Sequence, residues 1–402
     1  MQRPIKKLIS RLKVISIYGL SQSISPIGKL VFSFLIIRNQ SIELWGSYVQ
    51  VAIWIFLMWV FLSFGNKIYL IKKFSSDPTN IFQSWLTHLT SRSILLVPCF
   101  LILFFSPLFK EHLYLYVFWI ILLLVTQSFN ALVLYFKDFK FSLVVELLSS
   151  SVLILGTIVL INSMNLYTIL ILIVLANSLR AICYIIYYFK EISRLKVHFD
   201  FSILSKSLPF FIPIALGTLQ FKIDTYFANS FFSISDLGKY EVFVSILGFG
   251  QILVGYTISP FLKNFFRLSS KIVNKIMLQF LILGFLYSLG FIFVSHIVLT
   301  KIYGLHFSLY NYLIASIFIF PLFIYSLLVN EMYKNNQQKI VSLFVFIIVL
   351  FQITFGFITR DNYGFNEALL LKAVGQLLIS LILWYWLYRY NRNTILKKAS
   401  IK

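Results

Sequence analysis

Along the 402 residues, apolar stretches alternate with short polar segments rich in lysine and arginine. Each stretch runs to roughly 17–25 positions, enough to cross a bilayer as a helix. A helix satisfies its own backbone in hydrocarbon, so the pattern predicts an all-α polytopic membrane protein. Twelve transmembrane helices are expected. The first six are Val14–Ile37, Trp45–Phe64, Ile94–Phe109, Leu113–Tyr135, Phe141–Ile161 and Tyr167–Tyr188. The second six are Leu208–Phe232, Tyr240–Leu262, Lys275–Leu299, Leu309–Asn330, Ile340–Phe357 and Glu367–Tyr388. The third is the shortest. Before it, Asn66 to Arg92 mixes charges with Ile68, Leu70, Phe74, Phe82 and Trp85, which predicts an amphipathic segment lying in the interface and broken at Asp77-Pro78.

Composition sharpens the class. Hydrophobic residues make up 59% and charged residues 12%, with a formal net charge of +22. Soluble domains carry about 25% charge. The excess positive charge is not gathered into a nucleic-acid-binding face. It falls on alternate loops, 26 basic residues on one side against 5 on the other. Under the positive-inside rule both termini are cytoplasmic. The basic N-terminus leads into an apolar run too long for a signal h-region, so it is expected to be retained. Cys99 and Cys183 each sit inside an apolar run and predict neither a disulfide nor a metal site. The outer loops are short, which disfavours an enzyme acting at the outer leaflet, since such sites are built on loops.

The two halves resemble one another. Gly46-Ser47-Tyr48 and Gly238-Lys239-Tyr240 lie 192 residues apart at the first outer turn of each half. Tyr135-Phe136-Lys137 is echoed by Tyr333-Lys334, and an offset of 193 lays Ser25 and Lys29 on Thr218 and Lys222. Six spans followed by six, both entering from the same side, imply a parallel repeat, with a substrate path between the two lobes. The expected division is an N-terminal lobe over 1–190, a cytoplasmic linker over 191–206 and a C-terminal lobe over 207–402.

Ionisable residues inside the spans are the candidate functional groups, because charge in hydrocarbon is costly. Tyr18, Gln22, Ser25, Lys29 and Ser33 recur at helical spacing and form one polar stripe. On the seventh span Gln220 and Asp224 share a face, while Thr218, Lys222 and Thr225 lie on another roughly 200° away. Matching Lys222 to Lys29 turns both toward the central path and points Asp224 into the second lobe. Lys372, at similar depth on the last span, is the expected partner of Asp224, in a pair that either holds the lobe together or couples transport to protonation. Arg180 stands about two turns from the cytoplasmic end, where a snorkelling role competes with substrate binding. Asp224 is taken as the one carboxylate clearly within the membrane.

These features together resemble the polysaccharide flippases (Wzx-type O-antigen and capsule repeat-unit translocases) of the MATE-like, or MOP, superfamily. The resemblance rests on Tyr18-Gly19-Leu20-Ser21, the turn before Gly46-Ser47-Tyr48, Ser207-Leu208-Pro209, Lys222-Ile223-Asp224 and Asp236-Leu237-Gly238-Lys239-Tyr240. Leu44-Trp45-Gly46 departs from the Gly-Pro approach commoner in that family. The resemblance implies two six-helix lobes around a cavity that opens to alternate sides. It also implies an undecaprenyl-pyrophosphate-linked oligosaccharide as substrate, a precursor of lipopolysaccharide or capsule. Lys29, Lys222, Gln22, Ser25, Arg180 and Gln220 are then candidate substrate contacts, and Asp224 with Lys372 the coupling or structural pair. No cofactor or metal is expected, only a proton or sodium gradient. Expected partners are the lipid-linked glycan, membrane lipid, and polymerase and chain-length proteins of the same pathway, with no nucleic acid. The rival readings are a membrane-embedded polymerase or glycosyltransferase and a MATE-type drug exporter.

Overall fold

The structure, a computed structural model, describes residues 2–258 and 270–400, with side chains over 16–249 and 272–390. Lys263, Arg267 and Lys402, counted above among the loop cations, lie outside the described residues, as does the end of the eighth span at Leu262. Every regular element over the described residues is helical. In the first half these are α1 (Gln2–Asn39), α2 (Ile42–Ser63), α3 (Asn66–Ser76), α4 (Ile81–Arg92), α5 (Leu96–Phe105), α6 (Leu113–Phe136), α7 (Phe139–Val159), α8 (Leu166–Tyr187) and α9 (Phe189–Ile192). The second half has α10 (Ser202–Phe231), α11 (Ile234–Ile258), α12 (Ser270–Ile297), α13 (Leu309–Lys334), α14 (Gln338–Ile358) and α15 (Phe365–Ser400). Among the described residues 11 helical stretches are long and apolar enough to cross a membrane. The helix α11 supplies a twelfth long element. The chain divides into two compact units, 1–215 and 216–402, the division falling within α10.

The region around the third span differs from expectation. Residues 66–92 do not form one separate segment. They form α3, which extends the second span, and α4, which runs through a 3-10 turn into α5 as one span over Ile81–Phe105. The break at Asp77-Pro78 is the turn between them. There Thr79 and Asn80 donate to the Asp77 carboxylate and hold its pKa below the ordinary range. Leu70, Phe74 and Trp85 face a protein core, where they pack with Phe129, Leu132, Tyr184 and Tyr188. An amphipathic pattern records one apolar face; it does not say whether lipid or protein covers that face. Pro209 likewise lies inside α10, which begins at Ser202 rather than at Leu208.

Arg92, the last residue of the segment expected to be interfacial, is wholly buried. Its Nη1 donates to the carbonyls of Leu62 and Ser63 at 2.8 and 3.0 Å, where α2 ends. The chain leaves α2 through two left-handed residues, Phe64 (φ 38°) and Gly65 (φ 72°), which strand those carbonyls. A cation at a helix C-terminus is well placed for them. At Gly65 a Cβ would stand 3.0 Å from both Phe211 N and Ser207 O. Gly65→Ala is therefore expected to lose about 2 kcal/mol, from left-handed strain and a clash with backbone that cannot retreat. Thermal unfolding of the purified variant checks this, and an unchanged midpoint would show that the break tolerates a side chain.

Hydrogen bonds expose the repeat more sharply than residue identities do. Ser41 Oγ accepts from Leu44 N at the start of α2, and Ser233 Oγ accepts from Asp236 N at the start of α11, both at 3.1 Å. Lys137 (φ 62°) and Asn336 (φ 57°) each carry the chain out of the fourth expected span of their half. The same six-to-one bond closes both turns, Asp138 N to Val133 O at 3.0 Å and Gln337 N to Met332 O at 2.9 Å. The offset is 192 at the first turn and 199 at the second. The Tyr–Lys echo of the sequence is thus out of register by one or two residues.

Candidate functional site

Asp224 sits in the middle of the second unit's polar interior. It is fully buried on α10, and the last-helix Lys372, also buried, places Nζ 3.0 Å from Oδ1 and 3.2 Å from Oδ2. The Tyr240 hydroxyl donates to Oδ2 at 2.6 Å and the Thr225 hydroxyl at 3.2 Å. Lys372 also donates to the Phe221 carbonyl at 2.6 Å and lies over the Phe221 ring at 4.4 Å and the Phe318 ring at 5.2 Å. Charge, hydrogen bonds and aromatic faces together satisfy both ions, the condition under which a pair survives in low dielectric. Gln220 and Gln376, one turn away on their helices, are buried beside it.

Lys222 is different. Two residues from Asp224, it lies on the other side of α10 with its side chain 23% exposed. Its Nζ stands 3.8 Å from Glu241 Oε2 on α11, a contact of charge rather than of hydrogen-bond length. The same helix therefore buries one ionic residue completely and leaves the other within reach of solvent. Helical geometry alone separates them.

In the first unit the stripe on α1 is graded. Gln22 and Ser25 are exposed, Lys29 is half-buried, and Ser33 is buried with its hydroxyl turned back to the Leu30 carbonyl. Gly28 brings α1 close to α7, since a Cβ there would meet Ser150 Oγ at 2.8 Å. Arg180 does not snorkel away. Its Nη2 binds Glu146 Oε2 at 2.7 Å, and Nη1 reaches Asn177 Oδ1 at 3.2 Å. This pair is one rung of an antiparallel ladder between α7 and α8. Above and below it, Tyr188 donates to Asp138 at 2.8 Å, Tyr184 to Ser142 at 3.2 Å, and Ser149 to the Ala176 carbonyl at 3.2 Å. The rungs descend by about four residues on each helix, the spacing that keeps one face aligned.

Glu146, in a helix long and apolar enough to cross a membrane, stands beside Asp224 as a second carboxylate within such a span. Glu146 falls well inside the fifth span, and its i, i+4 relation to Ser142 and Ser150 marked it as part of a polar face. Glu241 was hidden by its position at a span boundary. Glu331, at the end of α13, is also buried and is held by Lys334 at 3.2 Å. No cluster of three or more metal-ligating side chains occurs among the described residues.

Residues 12–266 match the model of a family described as polysaccharide biosynthesis protein. No curated protein sequence matches the chain. Several solved structures share the fold. The lipid II flippase MurJ in an inward closed conformation superposes with a TM-score of 0.69 at 16% identity, over 92% of this chain and 87% of that one. The MATE multidrug transporter DinF-BH gives 0.69 at 14% identity, over 94% and 95%. An outward-facing multidrug resistance MATE transporter of the MOP superfamily gives 0.66 at 12%, over 96% of each chain.

Proposed function

The chain belongs to the polysaccharide biosynthesis protein family, and on that premise we propose that it flips a lipid-pyrophosphate-linked oligosaccharide across the membrane. The cargo in this reading is an undecaprenyl-linked polysaccharide repeat unit, moved from the cytoplasmic to the outer leaflet of a bacterial inner membrane. The fold shared with a lipid II flippase supports a lipid-linked cargo. The contrast between two lysines carries the reading. Lys372 is 1% exposed and hydrogen-bonded to its carboxylate, a structural ion; Lys222 is 23% exposed and 3.8 Å from Glu241. A pyrophosphate, with more charge than a carboxylate, can draw Lys222 from Glu241 and return it on release. Lys29, Gln22 and Ser25 present polar groups on α1, and Arg180, hydrogen-bonded to Glu146 at 2.7 Å, is a further candidate contact.

Transport then proceeds by alternating access, one lobe moving against the other, with no bond made or broken in the cargo. Binding stays moderate because Lys222 returns to Glu241 on release. A proton or sodium gradient drives the cycle, and both termini face the cytoplasm. A MATE-type cation exporter is the second reading, favoured by the sheltered carboxylates Glu146 and Glu241.

Proteoliposomes loaded with a lipid-pyrophosphate-linked oligosaccharide test this directly. Wild type is expected to bring unchanged substrate to the opposite leaflet. Lys29→Ala with Lys222→Ala should slow it about tenfold or more, the loss of at least one charge-assisted contact. Lys→Arg at both positions should keep part of the rate. Wild-type flipping by the double alanine variant would sink the cationic path, and movement of an organic cation in place of the glycolipid would favour the exporter.

A further inference from the structure

In the first unit, the chain between α9 and α10 is not a slack connection. Residues 195–200 form neither helix nor turn, and one edge of this strap is fastened along α4. The Gln83 amide donates to the Lys196 carbonyl at 2.7 Å, and the Thr90 hydroxyl to the His198 carbonyl at 2.6 Å. Asp200 N then donates to Ser91 Oγ at 2.9 Å. Every second residue is bonded, which is the period of extended chain. The residues between them, Val197, Phe199 and Phe201, are 66%, 55% and 57% exposed. A strap tied this way cannot turn them inward, and three large apolar side chains in a row mark an interaction surface.

Their surroundings indicate what covers them. Both α8 and α10 are long and apolar enough to cross a membrane, and the strap joins their ends on the side that carries the basic loops. Ile186 at the end of α8 and Leu208 near the start of α10 are exposed too, on faces that hydrocarbon covers in such spans. The apolar row of the strap continues those faces to the level where acyl chains give way to headgroups. The charges suit the same place. Lys190, Arg194, Lys196 and Lys206 are all exposed, against two carboxylates, Glu191 and Asp200. Asp200 is turned to the start of α10, where hydrogen bonds from Ser202 hold its pKa below the ordinary range. An apolar row edged by surplus cations fits the boundary of a leaflet that contains acidic phospholipid.

We propose that residues 194–201 form a site for acidic phospholipid. Val197, Phe199 and Phe201 enter the boundary of the acyl chains, and Arg194 and Lys196 reach the lipid phosphate. Lipid seated there braces α4 through the three hydrogen bonds, and α10, which follows directly at Ser202. The site belongs to the surrounding bilayer and does not depend on which cargo is moved.

The full chain in phosphatidylcholine vesicles is to be photolabelled with phosphatidylglycerol carrying a photoreactive group near the headgroup end of an acyl chain. The peptide that holds 195–201 is expected to be labelled, with competition by unlabelled phosphatidylglycerol and none by added phosphatidylcholine. Arg194→Gln with Lys196→Gln should lower labelling about tenfold, a few-fold for each cation near an acidic surface. Val197→Ser with Phe199→Ser and Phe201→Ser should lower it as far. All five side chains are exposed, so both variants should unfold like wild type in detergent free of phosphatidylglycerol. Adding phosphatidylglycerol should raise the wild-type midpoint by several degrees and leave both variants unchanged. Undiminished labelling in the glutamine variant, or equal labelling by a photoreactive phosphatidylcholine, overturns the proposal. So does displacement of the label by a polyprenyl pyrophosphate at far lower concentration than by phosphatidylglycerol, which would make the strap a cargo site. A wild-type midpoint that ignores phosphatidylglycerol overturns the bracing of α4 and α10.

Discussion

Lys372→Met is expected to destabilise the protein by about 3–5 kcal/mol, because it leaves the Asp224 carboxylate buried without its counter-ion. Tyr240 and Thr225 still donate to Asp224, but neutral hydroxyls do not balance a charge at full burial. Asp224→Leu should cost a comparable amount, since the ammonium then keeps only the Phe221 carbonyl and two ring faces. The double variant Asp224→Leu/Lys372→Met removes both ions together and is expected to regain most of the loss, as paired replacement of buried ions commonly does. Thermal unfolding in detergent, read for all four proteins of the cycle, gives the coupling. Additive losses would mean that the two groups do not depend on each other in the folded state. The same double variant asks what the pair is for. If it unfolds like wild type and still flips its cargo, the pair holds helices together; if it is stable and inactive, the pair takes part in coupling.

Arg92→Met is expected to cost about 2–4 kcal/mol. Two carbonyls at the end of α2 lose their donor, and each bond to a charged group is worth about 1.5–3 kcal/mol. Removing a buried charge offsets part of that cost, so the net loss is smaller than the sum. Arg92→Lys should recover about half, because one ammonium reaches the carbonyls without the planar fork. Unfolding midpoints of the three proteins decide the matter. If Met and Arg proved equally stable, the end of α2 would not depend on the guanidinium.

Much of the site was legible in the sequence. A lysine and an aspartate in one apolar run mark the seventh span, and a 200° separation along a helix puts them on different sides whatever surrounds it. The cost of charge in hydrocarbon also makes Lys372 a natural partner for Asp224. Glu146 was equally visible but lay in a span read for its hydropathy alone. The Arg180–Glu146 contact joins positions 34 apart, on helices whose relative rotation no local pattern gives.

Hydropathy and charge by themselves determined the class of this protein, the positions of most spans and the alternation of its loops. Those properties depend on each segment's own transfer from water to lipid and on the cations that resist it. Tertiary structure alone decided where apolar faces turn. Leu70, Phe74 and Trp85 look like an interfacial stripe in sequence and are core in the fold, because neighbouring helices compete with lipid for the same surface. It decided that Arg92 caps a broken helix, since the stranded carbonyls come from residues about thirty positions earlier. It also fixed the register of the repeat, through turns whose hydrogen bonds persist after the side chains have changed.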